Sequence, residues 1–226
     1  MQRLTVRPSC EILIPYERAQ PGSPIAPAEL HRSYPKAGSY LARFHHELVR
    51  RPRFRNFNPA VGTPWELYGV NRYSFASAKV VWREQATNFT VAVALPVLGR
   101  PVMIDHKLVA VGLEDVAEAC YLAAVLNSVP VRVLVDSYAL ELSLSSHVLD
   151  YVAVPRYDPG NADHAELARL GAQAATAQLP GGLTATATAI DVLAARLWGL
   201  QPDAVTALQR FHDDLPLAAT DPTDED

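Results

Sequence analysis

Two short stretches hold the side chains best suited to chemistry. RRPRFRNF at 50–57 packs Arg50, Arg51, Arg53 and Arg55 into six residues, interleaved with Phe54 and followed by Phe57. Pro52 keeps that backbone extended. Guanidinium groups fork onto phosphates and read guanine edges bidentately, and aromatic rings stack on unpaired bases. A solvated helix end would use the same cations to complement its dipole. The second stretch, KVVWRE at 79–84, reads as a strand. Alternation puts Lys79, Val81 and Arg83 on one face and Val80 and Trp82 on the other. The cation pair is then either a solvated outer face or a grip on an anion.

Other motifs are weaker. Glu84 followed by Asp105 and Lys107 in PVMIDHK imitates the acid and acid-x-lysine set of metal-dependent nucleases, and also suits a plain turn between strands. His45 and His46 are adjacent on a helix, so they point to different sides and do not chelate together. Cys10 and Cys120 lack pairing or metal-ligand spacing, which fits a reduced, cytoplasmic setting and no metal site. There is no glycine-rich phosphate loop and no nucleophile elbow.

The elements that must position these residues follow from pattern. With 226 residues and 49% apolar content, the chain can bury a substantial core. No apolar run approaches the roughly 18 residues of a membrane span, and the first residues lack a secretory signal pattern. Short strands are expected at 11–16, 65–70, 79–84, 89–95, 101–104, 108–112 and 151–155. A helix is expected over 39–51, capped by Ser39, with Leu41, Phe44, Leu48 and Val49 as its apolar stripe. Further helices are expected over 114–128, from Pro130, over 161–179 with Asn161 as cap, over 188–200 and over 203–215. PGG at 180–182 reads as a breaker. The fold class is therefore α+β: a β-rich core of short strands with packed helices, then a C-terminal helical hairpin. The expected division is 1–160 for recognition, 161–215 for the helical segment and 216–226 for an acidic disordered tail.

Charge is unevenly spread. Residues 1–107 hold 15 of the 20 Lys+Arg and 7 of the 24 Asp+Glu, a balance of +8; residues 108–226 carry −12. Twelve of the 18 aromatics also lie in the first segment. A polyanion partner for that segment is the natural expectation.

Read in order, KVVWRE, IDHKLVAVG, AEACYLAAVLNS, PVRVLVDSYA, VLDYVAVPRYDPGN and TAIDVLAARLWGL resemble the target-recognition region of TaqI-like adenine-specific DNA methyltransferases. EILIPY and SYPKAGSYLARFHHEL resemble its upstream portion, so the likeness spans roughly residues 10–212. That family carries its methyl-donor site and an Asn-Pro-Pro-aromatic motif in a preceding domain. NFNP at 56–59 continues as Ala60-Val61, without the second proline or the aromatic that stacks on a flipped adenine.

The resemblance implies a specificity module of a restriction–modification or related phage-defence system, binding double-stranded DNA and not catalytic alone. S-adenosylmethionine would belong to a catalytic methyltransferase subunit, and no cofactor to this chain. The expected DNA contacts are Arg50, Arg51, Arg53, Arg55, Lys79 and Arg83. Two other readings stand beside it: a metal-dependent nuclease using Glu84, Asp105 and Lys107, and a protein-interaction module that has lost DNA binding.

Overall fold

The computed structural model describes residues 6, 8–51, 63–67, 69–86, 88–138, 144–176 and 180–214. Contacts divide the chain into two compact units, 8–75 and 76–226 with the first seven residues, and not near residue 160. It is a mixed α+β protein in which helix predominates and the antiparallel sheets are small.

The 8–75 unit opens with a two-stranded ribbon, β1 (Tyr16–Glu17) and β2 (Gln20–Pro24), followed by α1 (Pro27–Ser33), α2 (Pro35–Arg43) and α3 (His45–Arg50). Proline at the first helical position suits α1 and α2, since its missing N–H has no intrahelical partner to lose. The single helix expected over 39–51 is thus two helices. The first starts at Pro35, so Ser39 lies inside it and caps nothing, and Phe44 (φ −106, ψ 17) breaks the run.

Leu30, Leu41 and Trp65 form the core of this unit, with Ile25, Ala37 and Leu48 against them. The indole of Trp65 donates to the Ile25 carbonyl at 3.0 Å. The Tyr16 hydroxyl accepts from the Leu67 amide at 2.8 Å. Trp65 sits in a turn, not in the strand expected over 65–70, because its ring is spent on this core. The unit ends in a 3-10 turn, Arg72–Phe75.

In the other unit, β3 (Ala78–Arg83) is the central strand between β4 (Val91–Ala94) and β5 (Leu108–Leu113), both antiparallel to it. Val80 and Trp82 face the main core together with their cross-strand neighbours Val93, Val91, Val111 and Val109. The Trp82 indole donates to the Leu144 carbonyl at 2.6 Å, and its ring meets Phe89 edge-on at 5.9 Å. The second sheet face is covered as well. Val81, Ala94 and Val102 form a small apolar cluster with Val6, Ala92, Ile104 and Ala110. Residues 101–104 therefore cover the sheet and do not form the strand expected there.

α4 (Val116–Asn127) packs on the main-core face of the sheet, and α5 (Val129–Tyr138), α6 (Ala162–Thr176), α7 (Pro180–Arg196) and α8 (Pro202–Asp214) build the helical layer around it. Asp115 caps α4 by accepting from the Ala117 amide at 2.7 Å, and Asn161 caps α6 by accepting from the Asp163 amide at 2.9 Å. At the end of α4, Asn127 acts as one more sheet partner. Its amide oxygen accepts from the Val91 N–H at 3.0 Å while its nitrogen donates to the Val91 carbonyl at 2.8 Å.

A 59° bend separates α4 from α5. Among the described residues no single helix is long and apolar enough to cross a membrane. Pro180 starts α7, so PGG opens a helix where a breaker was expected. Gly199 (φ +70) closes it: its N–H donates to the Arg196 carbonyl and that of Leu200 to Ala195, both at 3.0 Å, a Schellman ending. The strand expected over 151–155 is instead the end of a 3-10 turn, Ser146–Tyr151, running into extended chain. The tail from 216 lies outside the described residues.

Candidate nucleic-acid interface

The unit boundary does not coincide with the boundary between basic and acidic sequence. Residues 8–75 carry nine Lys+Arg against five Asp+Glu, a balance of +4, and the remainder of the chain carries −8. While six of the fifteen cations of residues 1–107 belong to the other unit, the 8–75 unit keeps a positive balance, which favours polyanions.

Within that body the arginines divide by role. Arg50, the last residue of α3, is exposed. Arg51 is half-buried and ties its own unit together. It donates through Nε to the Leu48 carbonyl at 3.3 Å and through Nη2 to the Pro64 and Glu66 carbonyls at 2.6 and 2.8 Å. Those bonds close the chain across the 52–62 stretch, so this guanidinium is already occupied. Arg53 and Arg55, with Phe54 and Phe57, lie outside the described residues.

The strand pair divides too. Alternation is as expected, with Lys79 and Arg83 on the Val81 face, but only Arg83 is exposed. Lys79 is 1% exposed. Its cross-strand neighbours are the small Ala94 and Gly112, and Nζ donates to the Ala76 carbonyl at 3.3 Å. The expectation that Lys79 presents its ammonium to an anion is corrected: sheet packing withdraws it from the surface.

The acid and acid-x-lysine trio forms no metal cup. Asp105 Oδ1 accepts from the Lys107 amide at 3.0 Å within its own turn, and this bond holds the exposed carboxyl below its usual range. Glu84 donates its backbone N–H to the Lys107 carbonyl at 3.0 Å. Among the described residues no group of three His, Cys, Asp or Glu side chains is placed to hold a metal ion. His45 and His46 are both exposed, as their adjacency on a helix suggests.

One surface feature escapes a reading based on arginine runs. Phe44, expected in the apolar stripe, is 40% exposed, and Tyr40 one turn before it is 51% exposed. The signal was present in the i, i+4, i+7 spacing of Lys36, Tyr40 and Arg43.

In comparisons with known proteins, no family model and no curated protein matches this chain.

Proposed function

We propose that the chain is a DNA target-recognition module of an adenine-specific, S-adenosylmethionine-dependent methyltransferase in a restriction–modification or related defence system, with methyl transfer carried out by a separate catalytic subunit. The observation that carries this reading is the ordered series of segments from KVVWRE to LWGL. It is supported by the way they fold locally: KVVWR lies in β3, LVAVG opens β5, and the Asn of AEACYLAAVLNS pairs with β4. In this reading the three-stranded sheet and α4 are the scaffold of recognition, and α6–α8 brace it and offer a surface to the catalytic partner. Arg50 and Arg83 contact phosphates or guanine edges, joined by Arg53 and Arg55. Arg51 acts indirectly, by holding the neighbouring chain.

Four phosphate contacts imply a slope of about −3.6 in log affinity against log salt, or roughly 150-fold weaker binding for a fourfold rise in salt. The test is binding of a mixed-sequence duplex of about 30 base pairs across that range. Arg50→Glu with Arg83→Glu should weaken duplex binding steeply and flatten the slope. A wild-type chain that ignores duplex DNA at low salt removes the proposal. The nuclease reading is less favoured, since Asp105 serves its own turn; magnesium-dependent cleavage lost in Asp105→Ala would revive it.

A further inference from the structure

α2 and the residue that ends it carry two large aromatic side chains, Tyr40 and Phe44, that are left partly uncovered. Tyr40 and Phe44 are neighbours one turn apart, with ring centroids 5.1 Å from each other and planes at 56°. Rings of this size are ordinarily mostly buried, and here about half of Tyr40 meets solvent. Cations accompany the pair: Lys36 lies one turn before Tyr40, and Arg43 lies between Tyr40 and Phe44 in the chain, both exposed. No acid occurs between residues 35 and 43, and the next one, Glu47, lies in α3 beyond the break. The contrast with α1 is direct. There Arg32 is paired with Glu29, whereas among the described residues Lys36 and Arg43 have no carboxylate partner.

We infer that this patch is a stacking surface for the unpaired bases of a single-stranded nucleic acid. Two partly exposed, tilted rings offer apolar surface on which bases stack, and the cations beside them meet the adjoining phosphates. Duplex DNA uses such rings poorly, because its bases are already stacked and only its backbone faces outward. A protein partner fits less well, since interface centres are depleted in lysine and this unit as a whole is basic. The surface goes beyond the proposed duplex recognition and is separate in its residues from Arg50 and Arg83.

The experiment measures anisotropy of two labelled probes with the full chain at low salt: an oligo(dT) of about twelve nucleotides and a mixed-sequence duplex. Stacking contributes about 1–3 kcal/mol per base, so Tyr40→Ala with Phe44→Ala, which removes both rings, should weaken oligo(dT) binding by about 30-fold or more and leave duplex binding within about twofold. Tyr40→Trp should retain it. Should the double alanine variant lose its circular dichroism, Lys36→Glu with Arg43→Glu supplies the readout at exposed positions, with the same selective loss of oligo(dT) expected. The inference is overturned by a wild-type chain that does not bind oligo(dT), by folded variants that bind it as wild type does, or by equal loss of both probes. Oligo(dT) binding without duplex binding would remove the target-recognition reading and keep this one.

Discussion

Gly171 of α6 lies so close to α4 that a Cβ added to it would stand 2.2 Å from the carbonyl oxygen of Cys120 and 2.9 Å from its carbonyl carbon. The atoms it would meet are backbone, which cannot swing aside, so the two helices would have to part. Gly171→Ala gains about 1 kcal/mol of helix propensity and loses about 3 kcal/mol to overpacking. A net loss of about 2 kcal/mol is expected as a lower urea midpoint at an unchanged slope. A variant as stable as wild type would show that α4 and α6 do not pack this tightly.

Arg50 and Arg51 should respond oppositely to truncation. Arg51→Ala leaves the Pro64 and Glu66 carbonyls without their guanidinium donor and should cost about 2–3 kcal/mol. Arg51→Lys should recover part of this, since one ammonium can still donate to both carbonyls but cannot replace the Nε bond to Leu48. Arg50→Ala, at an exposed position, should stay within about 0.5 kcal/mol of wild type and weaken duplex binding. Thermal denaturation and duplex titration of the variants separate the roles; equal stabilities for Arg50→Ala and Arg51→Ala would refute the split.

The same residues show how far a sequence can be read. Alternation in KVVWRE was legible because a central strand keeps period two whatever covers it. That Lys79 is buried was not, because it depends on what packs over the Val81 face and on neighbours such as Ala94 and Gly112 that only the register brings alongside. The break at Phe44 was hidden in a continuous helical pattern, and with it the exposure of Tyr40 and Phe44. Residues 101–104 look like a strand by composition yet serve as a cover, and local pattern cannot tell an apolar segment that pairs from one that packs. Asn161 and the Gly-Leu step at 199–200 were legible because caps are local devices.

Lys79→Met tests the withdrawn cation. Methionine keeps much of the stem volume and discards the charge, so duplex affinity and its salt slope should remain within about twofold of wild type. Arg83→Met, at the exposed end of the same strand face, should weaken binding and reduce the slope by about 1. If Lys79→Met flattens the slope as much as Arg83→Met does, the ammonium reaches the nucleic acid after all.

Asp191 gives the clearest pH dependence. Its carboxylate is enclosed by α5, α7 and α8: Oδ1 accepts from the Val129 amide at 2.7 Å and Oδ2 from the Gln209 side chain at 3.1 Å. Burial pushes this carboxyl above its ordinary value of 3.8, opposed by those two hydrogen bonds and by the charges of Arg132 and His212. A raised folded value means that the native protein holds the proton more firmly than the unfolded chain does. The associated stability is full below about pH 3.8 and is lost as pH rises through the folded value. Asp191→Asn keeps a carbonyl for Val129 and removes the titration, while the nearby His212–Asp136 contact at 3.2 Å is present in both proteins. Urea midpoints measured from about pH 4 to about pH 7 should therefore show wild type losing stability relative to Asp191→Asn as pH rises. A difference that stays flat with pH, or grows in favour of wild type, would mean that the carboxylate's partners outweigh its burial.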